Sequence, residues 1–80
     1  MPYVEATDIQ EILDALQIRA AELARRTHVS RSYLSHLLSG RKSNPSKLWA
    51  LQVIQLCRDE RLTEIAQRID ERVSPPDEDK

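Results

Sequence analysis

Apolar residues recur along this chain at intervals of three and four, the spacing of one buried face of an α-helix. The first such stripe consists of Ile9, Ile12, Leu13 and Leu16. Thr7 followed by Gln10 matches a capping box, which predicts that a first helix begins at Thr7 and ends near Gln17. No segment alternates apolar and polar residues as a half-buried strand does, so the pattern predicts an all-α fold.

Two short helices are predicted next. The first covers about 20–27, and the second runs roughly from Arg31 to Ser39. The hydroxyl of Ser30 can accept a backbone N–H at the start of the second helix, and Gly40 is placed to adopt the left-handed conformation at its end. The residues predicted to face inward are Ala21, Leu23 and Ala24 in one helix and Leu34, Leu37 and Leu38 in the other.

Pro45 and Ser46 suit the start of a fourth helix, because proline fits a first helical turn and serine can cap it. Its predicted buried residues are Leu48, Leu51, Ile54 and either Val53 or Leu56. A fifth, narrow amphipathic stripe consists of Leu62, Ile65, Ala66, Ile69 and Val73. The tail at 74–80 contains two prolines and clustered acids, which predicts a disordered segment.

The chain has 80 residues, which is enough for one compact domain, and it contains no Phe, so the predicted core is aliphatic. No apolar run approaches the roughly 20 residues that span a bilayer, and we expect no signal peptide, because no basic segment followed by an apolar one opens the sequence. The single cysteine, Cys57, cannot form an internal disulfide. We therefore expect a cytoplasmic protein that does not bind a membrane.

Charge is distributed unevenly, although the net charge is only −1. Residues 1–17 carry a net charge of −4, residues 18–47 carry +6, and residues 48–80 carry −3. Glu22 is the single acid among the charged residues of the central segment. This asymmetry predicts a basic face on an otherwise acidic protein, and such a face suits nucleic acid.

Other chemistries find little support in the chain. The soft candidate metal ligands are His28, His36 and Cys57, and their spacing matches no zinc pattern. A single glycine cannot build a phosphate-binding loop, and no nucleophile–histidine arrangement has a Gly-rich turn to support it. We expect no enzymatic activity, no metal, no cofactor and no small-molecule ligand.

Four segments occur in order: IRAAELA at 18–24, VSRSYLS at 29–35, LSGRK at 38–42 and Pro45-Ser46. In this order they resemble the Cro/C1-type helix-turn-helix family of phage repressors and bacterial regulators, from about Ile9 to Leu56. The resemblance implies a compact four- to five-helix lambda-repressor-like DNA-binding domain. The implied organisation is an arm at 1–6, the helix-turn-helix domain at 7–57, a C-terminal helix at 58–73 and an acidic tail at 74–80.

The chain departs from the family pattern at two places. The turn between the helices usually holds glycine, whereas His28 stands there and can adopt positive φ at modest cost. Many members pair a Glu at the end of the third helix with an Arg of the first, but the corresponding residues here are Leu38 and Leu13. An apolar contact can replace that ion pair without loss of stability.

If Leu34 and Leu37 face the core, the opposite side of the third helix is polar and basic. By the resemblance, the residues that read bases are Arg31, Ser32 and His36, and Ser35 on the same side is short enough to bond a base or a phosphate. The residues expected to contact phosphates are Arg19, Ser30, Ser39, Arg41, Lys42, Ser43 and Lys47. Arg31 suits guanine, because its guanidinium can bond O6 and N7 together.

Two orientations stay open in the sequence. Tyr33 either stacks on DNA or packs against the second helix. Arg25 and Arg26 either point toward DNA or pair with acids such as Glu22.

The residue pattern and the resemblance together imply a sequence-specific DNA-binding regulator, most simply a repressor that binds an inverted repeat as a homodimer. The predicted dimer contact is the fifth stripe, Leu62, Ile65, Ile69 and Val73, with Trp49 exposed at its edge. The alternative for this stripe is that the fifth helix packs back on the first. The competing function is a protein-interaction module, either an antitoxin or an inhibitor that binds polymerase or another regulator.

Overall fold

The computed structural model of the protein describes residues 3–41 and 45–74. These ranges form five α-helices: α1 at Ala6–Leu16, α2 at Ala20–Arg26, α3 at Arg31–Ser39, α4 at Lys47–Asp59 and α5 at Thr63–Val73. No strand occurs in them, which confirms the predicted all-α fold. Lys42, Ser43 and all of the predicted tail after Ser74 lie outside the described residues.

One hydrophobic core receives side chains from all five helices. Most of it is aliphatic, and the largest exception is Trp49, which is only 2% exposed. The expectation that Trp49 is exposed at the edge of the fifth stripe is wrong. Its indole is held inside because Nε1 donates a hydrogen bond to the buried Oγ1 of Thr27 at 2.9 Å.

The buried face of α4 differs from the predicted one. Leu48 and Leu51 were expected in the core, but their exposed fractions are 71% and 46%. The core-facing residues are Trp49, Ala50, Val53, Ile54 and Cys57. The first half of α4 holds more apolar residues than one helix face can carry, so a stripe built on Trp49 leaves the two leucines outside.

The apolar stripe of α5 lies inside the protein. Ile69 is fully buried, Ala66 and Val73 are nearly so, and Leu62 and Ile65 pack half-buried against the core. Ile69 and Val73 are therefore not available for the predicted dimer contact, because α5 uses them to pack mainly against α4 within the same chain, while the contact through Leu62 and Ile65 stays a prediction.

Ion pairs join the same helix to α1. Arg68 and Arg72 both contact Asp8, whose exposed fraction is 2%. The position of α5 is therefore fixed on two sides, by α4 through apolar packing and by α1 through charge.

The start of α1 also differs from the prediction. The helix begins at Ala6 with Glu5 as its N-cap, rather than at Thr7. Glu5 and Asp8 form the capping box, and the Glu5 backbone N–H donates to Asp8 Oδ2 at 2.8 Å. Val4 is buried and Tyr3 packs against the core, so these two residues of the predicted arm belong to the domain.

Candidate nucleic-acid interface

A tight turn of residues 27–30 joins α2 to α3. The Val29 N–H donates to the Ala24 carbonyl at 3.0 Å, and the His28 N–H donates to the Arg25 carbonyl at 3.3 Å. This pair of bonds is the Schellman pattern, which requires a left-handed residue between them. His28 occupies that place with φ 64°, as its position in the sequence predicted.

The two ends of α3 are fixed by local hydrogen bonds. The Ser30 side chain accepts the Tyr33 N–H at 3.0 Å, and Gly40 ends the helix in the left-handed conformation with φ 84°. Leu34 and Leu37 are buried between these ends. The predicted caps and bounds of α3 are therefore confirmed, and the helix has a single orientation relative to the core.

The outer side of α3 brings the four predicted base-reading residues together. Arg31, Ser32, Ser35 and His36 are exposed and line one shallow hollow on the helix surface. None of these four side chains forms a hydrogen bond or an ion pair with another residue in the described ranges 3–41 and 45–74. Their donors and acceptors are therefore available to a ligand. Nearby, the Ser39 hydroxyl donates to the carbonyl of His36 at 3.2 Å.

Tyr33 is half-buried and packs against the hydrophobic core. Its hydroxyl accepts the Ser46 N–H at 3.1 Å, and its ring lies edge-on to Trp49 with centroids 5.8 Å apart. Since Trp49 also bonds Thr27, these contacts connect the turn before α3, α3 itself and the start of α4. Of the two orientations left open by the sequence, Tyr33 adopts partial burial, with its hydroxyl and ring in contact with Ser46 and Trp49 at the start of α4.

Arg25 and Arg26 belong to an ion-pair network on α2. Both bond the carboxylate of Glu22, and Arg26 also reaches Glu60 at 3.2 Å. The hydrogen bonds from Arg25 and Arg26 lower the pKa of Glu22, so its charge is retained and neutralised in place. Glu22 is the single acid of residues 18–47, so its negative charge does not offset the positive charge around α3.

The basic side chains of the described part fall into two groups. The group paired with carboxylates is Arg25, Arg26, Arg58, Arg68 and Arg72. The group without an ion pair to any described residue is Arg19, Arg31, Arg41, Lys47 and Arg61. Apart from Arg61, this second group stands at the start of α2, at the start of α3, after α3 and at the start of α4. These are the positions that the sequence assigned to nucleic acid, together with Lys42 and Ser43, which lie outside the described residues.

Cys57, the remaining candidate for side-chain chemistry, is fully buried. Desolvation raises the pKa of its thiol to about 11, which keeps it protonated and unreactive at neutral pH. In the described ranges no three His, Cys, Asp or Glu side chains converge as metal ligands do. No helix there is long and apolar enough to cross a membrane.

Two exposed residues were missed by the sequence as functional candidates. Leu48 and Leu51 are exposed on the first half of α4, about one turn apart. The helical period alone did not separate them from the core residues of α4, because both sets are apolar. The neutral polar residues around them would have been the one available signal.

The turn-linked pair α2 and α3, with its exposed polar helix, defines a helix-turn-helix protein. The chain belongs to the Cro/C1-type helix-turn-helix family: the family model, described as Helix-turn-helix, matches residues 9–52, more than half of the chain. No curated protein and no solved structure matches the chain. The family consists of DNA-binding regulators and is not enzymatic, and this protein is a DNA-binding transcription regulator of that type.

Proposed function

We propose that the protein is a sequence-specific repressor that binds an inverted-repeat operator as a homodimer, with α3 in the major groove. One observation carries the proposal. The outer side of α3 keeps basic and hydroxyl groups without partners among the described residues, whereas the arginines elsewhere in the fold are mostly paired with carboxylates.

The bases are read from the first two turns of α3. Arg31 bonds guanine O6 and N7, because a guanidinium fork matches that pair of acceptors. The other base-reading residues are Ser32, Ser35 and His36. Serine hydroxyls and a histidine ring can both donate and accept, so they suit base edges of either kind.

The phosphates on both sides of the groove are contacted by residues at the ends of α3 and beside it, of which the basic side chains neutralise charge and the serine hydroxyls donate hydrogen bonds. These residues are Arg19, Ser30, Ser39, Arg41, Lys42, Ser43 and Lys47. Such contacts set the register of the helix on the duplex and supply affinity that does not depend on sequence. Because Arg25 and Arg26 are engaged with Glu22, we assign them no DNA contact.

A homodimer follows from the size of the reading element. One helix in one major groove covers about half a site, and two such helices read half-sites about 34–36 Å apart, one turn of DNA. Repression requires only that the bound dimer overlap a promoter and exclude polymerase.

Selection of bound duplexes from a random pool tests the proposal directly. The wild-type chain should enrich an inverted repeat, and Arg31→Ala should weaken binding to it by about 5- to 150-fold for each half-site, the equivalent of about 1–3 kcal/mol per Arg–guanine contact. Preference should relax at one base pair of each half-site. Arg25→Ala is the matched control, because it removes the same charge from a residue that already has a partner.

The salt dependence of binding distinguishes the phosphate contacts from the base contacts. Lys47→Ala should weaken binding to the selected site and to random DNA alike, and should reduce the slope of log K against log salt by about 1 for each protomer bound. If Arg31→Ala also acted equally on selected and random DNA, α3 would not be reading bases.

Transcription in vitro tests repression itself. A template with the selected site inside the promoter should lose transcript as the protein is added, while a template with the site far upstream should not. Equal loss from both templates, or a gain from the upstream site, would contradict repression by occlusion.

A further inference from the structure

Leu48 and Leu51 are the large hydrophobic residues that the described part of the chain leaves exposed. They lie three residues apart on α4, so they occupy the same side of the helix, one turn from each other. Scattered single leucines on a surface are ordinary, but two adjacent ones in a small domain form a continuous apolar area.

The residues beside these leucines are polar and uncharged. Gln52 and Gln55 follow at helical spacing on the same side and are also exposed. We name Leu48, Leu51, Gln52 and Gln55 the α4 outer patch. Its nearest charged neighbours along the helix are Lys47 at one end and Arg58 at the other.

An uncharged patch of this kind suits contact with its own copy. A two-fold dimer places the same surface of each protomer against the other, so a charge close to the axis would face its own copy. The α4 outer patch avoids that repulsion. A glutamine amide can both donate and accept, so the glutamines of two copies can bond each other across the axis.

The shape next to the patch also fits a second copy. A hollow of about 140 Å³ opens between the turn before α3 and the start of α4. Thr27, His28 and Val29 line one side of it, and Leu48 and Gln52 line the other. A protruding leucine and a hollow on one surface allow two copies to interlock reciprocally, as an isologous interface requires.

We propose that the α4 outer patch binds a second copy of this chain across a two-fold axis. The inference deepens the proposed function, on which it rests, by assigning the contact that joins two DNA-reading helices. The start of α4 is connected to α3 through the Ser46–Tyr33 hydrogen bond and the Tyr33–Trp49 ring contact. A dimer joined at this place therefore fixes the separation of the two α3 helices.

The first experiment compares the wild-type chain with the double variant Leu48→Gln, Leu51→Gln by sedimentation velocity. Wild type should sediment as a dimer, and the variant should be monomeric at the same concentration, with a dissociation constant at least about 100-fold higher. Circular dichroism should be unchanged, because both leucines are exposed and glutamine is a good helix former. Ala15→Gln, on the exposed side of α1, is the matched control and should stay dimeric.

Cross-linking provides a readout that does not depend on stability. Leu51→Cys should form a covalent dimer with a short bismaleimide, whereas Ala15→Cys should not. The native Cys57 gives little background, because it is fully buried and its thiol pKa is raised to about 11.

Binding to whole and half operators separates failure of this inference from failure of the proposed function. The double variant should bind a single half-site as wild type does, but should lose the extra affinity for the inverted repeat. A double variant that remains dimeric, or a wild type that is monomeric both free and on the inverted repeat, would overturn the α4 contact. The latter result would favour a different protein as the occupant. If the wild-type chain showed no sequence-selective binding, the DNA-binding proposal would be overturned instead. A dimer that depended on the two leucines would still support the α4 contact.

Discussion

Helices α4 and α5 each carry apolar residues at helical spacing, but the two stripes meet different surroundings. The α5 stripe is covered within the chain, with Ile69 fully buried. On α4 one stripe is covered, while Leu48 and Leu51 face solvent on the other side. Amphipathic spacing therefore identifies the residues that share one face of a helix. Whether that face is buried or exposed depends on which element has the charges and hydrogen bonds to cover it.

The two helices differ in the charged residues that accompany the α5 stripe and the α4 outer patch. Beyond its apolar stripe, α5 presents Arg68 and Arg72 to the buried carboxylate of Asp8 on α1. The α4 outer patch has no comparable anchor, because the residues between Lys47 and Arg58 are uncharged. It is therefore open in one copy of the chain and suited to a second.

The largest expected difference in stability is between two variants that each truncate one large aliphatic side chain, one in the α5 stripe and one in the α4 outer patch. Ile69→Ala should lower the free energy of unfolding by about 2–5 kcal/mol, because it removes buried methylenes and leaves a cavity. Leu48→Ala should change the stability of the monomer by less than about 0.5 kcal/mol, since the side chain is mostly solvated.

Urea unfolding at low protein concentration measures both values. A dimer would add stability that depends on concentration, so the comparison must be made where the chain is monomeric. Equal losses in the two variants at that concentration would show that Leu48 is covered within its own chain.

The next effect concerns the charged side of α5. Asp8→Ala should destabilise the fold by about 2–4 kcal/mol, because Arg68 and Arg72 then lose a buried partner; their own partial exposure moderates the loss. Glu11→Ala removes an exposed partner of Arg68 and should cost less than about 1 kcal/mol. Thermal unfolding of the two variants decides the point: similar losses would mean that burial of Asp8 adds nothing.

Local chemistry explains what could be predicted from the sequence. The ends of α3 and the start of α4 are set by Ser30, Gly40 and Ser46, each acting on backbone groups within three residues. The exposed side of α3 followed from the spacing of its buried leucines alone. These features need no knowledge of the rest of the fold.

Long-range contacts explain what could not be predicted. With α4 in its observed rotation, the indole of Trp49 bonds Thr27, which is 22 residues away. Two capping patterns compete at the start of α1, and the one that contains Asp8 prevails where that carboxylate also binds Arg68 and Arg72 of α5. No local pattern contains either partner.

A smaller loss of stability is expected when the hydrogen bond that accompanies the core-facing orientation of Trp49 on α4 is removed. Trp49→Phe removes the buried bond to Thr27 and should lower the free energy of unfolding by about 1–2 kcal/mol. Tyr33→Phe removes the bond to the exposed Ser46 N–H and should cost about 0.5 kcal/mol, since water can replace it. If Trp49→Phe were the milder of the two, the rotation of α4 would have to depend on apolar packing alone.

The smallest effect concerns the turn that folds the α5 stripe back onto α4. Arg61 occupies this turn with φ 63°, and the Leu62 N–H donates to the Cys57 carbonyl across it at 2.7 Å. A non-glycine residue in this conformation costs about 1–2 kcal/mol, and the flexibility of an unfolded glycine offsets part of that, so Arg61→Gly should stabilise the chain by up to about 1 kcal/mol. Glu64→Gly, inside α5, should instead lose about 1 kcal/mol. Equal destabilisation of both variants would mean that the turn does not hold Arg61 left-handed, and the path that brings Ile69 into the core would need another explanation.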